Sequence, residues 1–248
     1  MNLRNSPCDS GRFSLRRARS LGARCGLVST PVLIDYDTLW MAQTNCWVLA
    51  KGAGEPAIII DAPPDPSGVA SLLARHNLTA AALILTHGHV DHAGGAGGVQ
   101  RDSGVDAWVH PDDDFLTFGI DDQLRMLFGM RPAGDFAGPR EPKRLGDDDI
   151  LDVAGFELRV RHTPGHTPGH VCLEVIGEGV LFSGDQLFAG SIGRTDLPGG
   201  SYDVLMESMR RRVLDLDDGV RVLPGHGPET TIGRERRTNP FLVGMRAD

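Results

Sequence analysis

Three histidines and an aspartate crowd into one short run, Thr86-His87-Gly88-His89-Val90-Asp91-His92, directly after the apolar stretch Ala82–Leu85. That run constrains the chain more than any other. A stretch of this kind reads as a buried strand, and imidazole and carboxylate groups at its end suit Zn²⁺ and similar divalent ions. In extended backbone alternate side chains face the same way, so His87 and His89 are placed to grip one ion. Asp91 and His92, after the chain turns toward a helix, are placed to reach a second. Gly88 leaves room for the backbone. Paired hydrolytic ions sit about 3.5–4 Å apart.

The rest of the chain reads as α/β. Val32–Leu39, Asn45–Ala50 and Ala57–Asp61 look like strands, and Val69, Leu72, Leu73 and His76 have helical spacing. Ala107–Val109 is a further short strand. Residues 111–142 mix Phe115, Phe118, Leu127, Phe128 and Met130 with Gly, Pro and Asp, either an apolar lid over a pocket or a packed insertion. The second half repeats the strand theme at Ile150–Val153, Phe156–Val160, Val171–Ile176, Val180–Phe182 and Val220–Leu223. A helical stripe runs from Leu205 to Leu216. Two strand-rich halves imply two sheets packed face to face with helices outside.

Further ligand types recur at predicted strand ends: His162-Thr163-Pro164-Gly165-His166-Thr167-Pro168-Gly169-His170, Ser183-Gly184-Asp185, and Pro224-Gly225-His226-Gly227. The formal net charge of −8 argues against a nucleic-acid partner. No run approaches a membrane span. Cys8, Cys25, Cys46 and Cys172 have no metal-knuckle or disulfide-framework spacing, which fits reduced thiols and a cytoplasmic location. The first 30 residues carry six arginines against one aspartate. They read as a disordered or non-native extension, with an organelle transit peptide as the alternative, and the domain proper spans residues 31–248.

Taken as a set, His-x-His-x-Asp-His, Gly-His, Gly-Asp and Pro-Gly-His resemble the metallo-β-lactamase superfamily over residues 32–243. The resemblance implies an αββα sandwich of two mixed sheets and two divalent ions, Zn²⁺ first, with iron or manganese as alternatives. It implies His87, His89 and His166 on one ion, Asp91, His92 and His226 on the other, and Asp185 bridging. Asp91 would also orient the attacking water, and Asp61 would support a ligand from behind. His162 and His170 are expected to be structural.

Within the superfamily the chain resembles the short glyoxalase II-like branch. The matching segments are Gln43-Thr44-Asn45-Cys46, the run from Asp185 to Asp196, and Pro224-Gly225-His226-Gly227-Pro228 with Glu235 and Asn239-Pro240-Phe241. The activity implied is hydrolysis of a small-molecule thioester, an S-2-hydroxyacyl thiol such as S-lactoylglutathione, with Arg194 binding substrate. Asp196 and Pro228 stand where the branch has tyrosines, which weakens the expected grip on glutathione. An Fe(II) persulfide dioxygenase on the same fold, using His87, His166 and Asp185, is the alternative. A lactonase or β-lactamase ranks below it, because Asp185 stands where common zinc β-lactamases have cysteine.

Overall fold

A computed structural model describes residues 32–245. The arginine-rich leader, with Cys8 and Cys25, lies outside the described residues. The first half builds a sheet from β1 (Leu33–Leu39), β2 (Thr44–Ala50), β3 (Pro56–Ile60), β4 (Thr79–Ile84), β5 (Ala107–Val109) and β6 (Lys143–Arg144), hydrogen-bonded in that order. The first three strands run antiparallel and the last three join in parallel. The second half supplies β7 (Ile150–Val153), β8 (Phe156–His162), β9 (Val171–Val175) and β10 (Val180–Gly184). A small hairpin, β11 (Leu187–Phe188) with β12 (Ser191–Ile192), comes before β13 (Arg221–Pro224) and β14 (Thr230–Thr231). The second sheet has the order β14-β13-β10-β9-β8-β7, with β10 and β13 parallel.

Strand periodicity explains the layers. Along β2, Trp47 and Leu49 enter the apolar layer between the sheets, while Cys46, Val48 and Ala50 pack into the layer under the helices. In β3, Ile58 and Ile60 face the first layer and Ala57 and Ile59 the second. On the other sheet, Phe182 joins the central layer, while Cys172 and Leu181 meet the opposite helix layer. Both faces of each central strand are therefore covered, which is why these strands read as continuous apolar runs.

Helices α1 (Pro66–Arg75), α2 (Val90–Ala93) and α3 (Ala96–Ser103) belong to the first half. Asp65 caps α1 by accepting the Gly68 amide at 3.0 Å, and Pro66 takes the first turn, where its missing N–H costs nothing. The single helix expected after the histidine run is two short helices separated by Gly94-Gly95. Residues 111–128 form a short 3₁₀ turn followed by α4 (Asp114–Thr117) and α5 (Ile120–Phe128). Ile120 and Leu124 of α5 pack on Val90, so this segment is a packed insertion, while Leu127 and Phe128 at its end line a cleft. Helices α6 (Tyr202–Arg212) and α7 (Ile232–Thr238) cover the second sheet. No helix among the described residues is long and apolar enough to cross a membrane.

Candidate metal centre

The chemistry-bearing side chains gather where β4, β10 and β13 end, at one edge of the sandwich. Strand β4 stops at Ile84, so Leu85–His89 continue as extended loop with His87 and His89 on the same side. Ring nitrogens His87 Nε2, His89 Nδ1 and His166 Nε2 lie 3.1, 2.8 and 3.2 Å apart. Beside them, His226 Nε2 is 3.2 Å from both His92 Nε2 and Asp91 Oδ2, and His92 Nε2 is 3.5 Å from that oxygen. Asp185 stands between the two groups. Its Oδ1 is 3.4 Å from His92 Nε2, and its Oδ2 is 3.5 Å from His166 Nε2 and 3.6 Å from His226 Nε2. All seven residues named for metal binding thus come together, with His87 also close to His92 and Asp185.

His87, His92, His166 and His226 are held from behind, His87 by the Thr86 hydroxyl at 3.1 Å, whereas buried His89 Nε2 has no partner among the described residues. Asp61 Oδ2 lies 2.8 Å from His92 Nδ1, and the same carboxylate accepts the Thr86 amide and hydroxyl. This bond at Nδ1 leaves Nε2 as the atom facing the cluster, where a bound cation would displace its proton. His166 Nδ1 meets the Arg194 carbonyl at 2.7 Å, and His226 Nδ1 meets the Gln43 carbonyl at 3.2 Å. His170 does not join either group. Its Nε2 accepts the Asp185 amide at 3.0 Å, so it positions Asp185 through the backbone. His162 stacks on His110, centroids 4.1 Å apart, away from the centre.

Sequence reasoning missed two residues. Buried Asp113 accepts the Gly88 amide, the Thr167 hydroxyl and the Gly169 amide, at 2.7, 2.7 and 2.6 Å, joining the two histidine loops. Buried Gln123 accepts the Val90 amide and donates to the Gly88 and Leu116 carbonyls. Both lie in the insertion, where no spacing marked them: Asp113 is the middle of three consecutive aspartates and Gln123 follows two more. Close approach also explains two glycines. A Cβ on Gly88 would lie 2.7 Å from Leu116 Cβ, and one on Gly225 would lie 2.6 Å from His92 Cε1 and against Asp185 Oδ1.

The donor set fits cations. Three imidazole nitrogens converge at separations near the roughly 3.3 Å expected around an ion with Zn–N bonds of about 2.0–2.1 Å. Burial holds His87 well below the ordinary imidazole range, and it lowers His89 to about 3 and His166 to about 4. These rings are neutral, the ligating form. Burial would lower His92 too, but Asp185, Asp91 and Asp61 outweigh it and raise it to about 10. Burial would raise Asp91, but His92 and His226 hold its carboxyl far below the usual carboxylate range. The acids therefore draw positive charge into the second group. Buried Asp185 Oδ1 has no hydrogen-bond partner, which fits a residue aimed at a cation.

The centre floors a cleft of about 520 Å³. Arg194 lines it, but its guanidinium forks onto Asp196, with Nε to Oδ1 at 2.7 Å and Nη2 to Oδ2 at 2.8 Å. Buried Glu235 accepts the Gly190 amide and Asn239 donates to the Ser191 carbonyl, clamping the β11–β12 turn beside the cleft.

An αββα sandwich with two groups of His and Asp sharing one acid at its strand ends defines a class of metal-dependent proteins. The chain belongs to the metallo-beta-lactamase superfamily, whose family model matches residues 40–226. It is 45% identical over 213 residues to a protein of Mycobacterium leprae, covering 83% of this chain and 96% of that one. It is 38% identical over 204 residues to the hydroxyacylglutathione hydrolase GloC of Haemophilus influenzae, covering 81% and 93%. Among solved structures, BLEG-1 B3 metallo-beta-lactamase superposes with a TM-score of 0.77 at 36% identity, covering 86% of this chain and all of that one. TTHA1623 in a di-iron-bound form superposes with a TM-score of 0.74, also at 36% identity, covering 84% and all.

Proposed function

We propose that the chain hydrolyses a small-molecule thioester of the S-2-hydroxyacyl thiol class. In this reading His87, His89 and His166 hold one divalent ion, Asp91, His92 and His226 hold another, and Asp185 touches both. The observation that carries it is the sharing of Asp185 by two ligand groups at the floor of one cleft. The similarity to GloC supports the substrate class.

A bound metal pair supplies a nucleophilic water near neutral pH and a positive charge for the carbonyl oxygen. Asp91, ionised and fixed by the Thr44 hydroxyl at 3.0 Å, orients that water by accepting its hydrogen bond. Among the described residues lining the cleft, the only acids are Asp91 and Asp185. In this reading both are engaged by the metal ions, so neither is free to protonate a leaving group. That favours a thiolate, which departs without a proton, over an amine. Zinc is the ion proposed. A reducing compartment, the cytoplasm, fits the buried free thiols Cys46 and Cys172.

Turnover of a panel of thioesters, lactones, β-lactams and persulfides by zinc-, manganese- and iron-loaded protein tests the reading. Thioester hydrolysis lost in His89→Ala is the expected result, and unchanged turnover in that variant would refute the site. The di-iron form of TTHA1623 keeps iron among the candidate ions, and the second reading is an Fe(II) persulfide dioxygenase using His87, His166 and Asp185. Oxygen uptake on a persulfide by iron-loaded protein, without thioester turnover, would replace the first reading with it.

A further inference from the structure

Half of the large apolar side chains exposed among the described residues fall between residues 115 and 130: Phe115, Phe118, Met126, Leu127, Phe128 and Met130. Apolar surface gathered in this way marks a contact site. Helix α5 turns Ile120 and Leu124 inward onto Val90. By helical periodicity its opposite side carries Asp122, Arg125 and Met126, with Phe118 one turn before Asp122. A groove of about 430 Å³ runs beside Phe118, Asp121, Asp122, Arg125 and Arg131. A second, of about 300 Å³, shares Asp121, Arg125 and Arg131 and reaches Met130. The charges on this face cancel. Arg131 Nη1 donates to Asp121 Oδ1 at 2.6 Å, and Arg125 Nη2 lies 3.0 Å from Asp122 Oδ1. In a chain of net charge −8, such a face lets two copies meet without local repulsion.

We propose that the chain pairs with a second copy of itself through this outer face of α5. The order of side chains along the helix is self-complementary. Phe118 stands at one end and Met130 at the other, with Asp122 and Arg125 between them. A two-fold axis crossing α5 beside Leu124 runs the two helices antiparallel. It sets Phe118 against Met130 of the partner subunit and Asp122 against Arg125 of the partner subunit, each contact made twice. Both pairs are centred on the same point of the helix, so one axis satisfies both. A thioether against an aromatic ring is a favourable contact, and the two ion pairs fix the register. The Asp122–Arg125 pair within one chain does not compete strongly, because an exposed ion pair is worth little. The balanced charge favours a second copy over a strongly charged partner. At its end α5 supplies Leu127 and Phe128 to the wall of the metal-lined cleft, so the interface lies beside that cleft.

Sedimentation velocity of the metal-loaded full chain tests this. The wild type is expected to sediment as a dimer at tens of micromolar. Asp122→Arg sets arginine against arginine across the axis, and Arg125→Asp sets aspartate against aspartate. Each variant alone should self-associate at least about tenfold more weakly. Mixed in equal amounts, the two should form a heterodimer at close to wild-type affinity, because each chain then meets the opposite charge. The mixture separates contact between chains from loss of the Asp122–Arg125 pair within one chain, which mixing does not restore. Both positions are exposed, so both variants should fold, as thermal unfolding checks. A wild-type chain that stays monomeric would overturn the proposal. So would variants that dimerise as the wild type does, or a mixture that stays monomeric.

Discussion

The Asp113 carboxylate receives the Gly88 amide at 2.7 Å, tying the turn between His87 and His89 to an insertion 25 residues downstream. The same carboxylate holds Thr167 and Gly169, which flank Pro168 directly after His166. One acid thus sets the separation of the loops that carry three converging ring nitrogens. Asp113→Asn replaces an acceptor with a donor facing other donors. Metal affinity should fall about 10–100-fold, the usual range for supporting residues, as read by competition with a chromophoric chelator. Wild-type affinity in that variant would show that the loops hold their places without it.

Asp61 supports the second group. Its backbone is left-handed at φ 63°, a conformation that asparagine tolerates, so Asp61→Asn tests the carboxylate without disturbing the chain. Losing the negative charge behind His92 Nδ1 should weaken the second site more than the first. After dialysis against a mild chelator, elemental analysis should find about one ion retained where the wild type keeps two. Retention of both would place the control of that site elsewhere.

Cys46 and Cys172 are fully buried, and burial pushes both thiols up, Cys172 to about 12. The reactive thiolate is then nearly absent at pH 8. Peptides containing either cysteine should remain unalkylated by iodoacetamide in the folded protein and react once it is denatured. Rapid labelling of either in the native state would contradict the packing described.

Phe182 lies at the centre of the layer between the sheets, fully buried and 6.1 Å from the Trp47 ring. Phe182→Ala should cost about 3–5 kcal/mol, transfer and cavity contributions together. Denaturant titration of the metal-loaded chain measures it. A loss below about 1 kcal/mol would be the ordinary cost of an unremarkable site rather than of a central core position.

Much of the architecture was legible because strand periodicity and burial leave a one-dimensional trace. Ala57–Ile60 and Ala82–Leu85 are apolar at every position because both of their faces are covered. The weakest reading was over residues 111–142, where short helices of mixed composition give no clean period. The helix after His92 was also read too simply, because Gly94-Gly95 breaks it.

By itself the sequence determined which side chains are present at the strand ends. His87, His89, Asp91 and His92 are near neighbours along the chain, so local backbone geometry alone puts them side by side. Only the tertiary structure decided how His166, Asp185 and His226 meet them, since those positions depend on the pairing of β10 with β13 and on the packing of one sheet against the other. It also decided that Arg194 is occupied by Asp196 and that Asp113 and Gln123 brace the histidine loop. A hydrogen bond depends on distance and direction in space. Residue type and spacing show where a donor or acceptor exists, while the fold selects its partner.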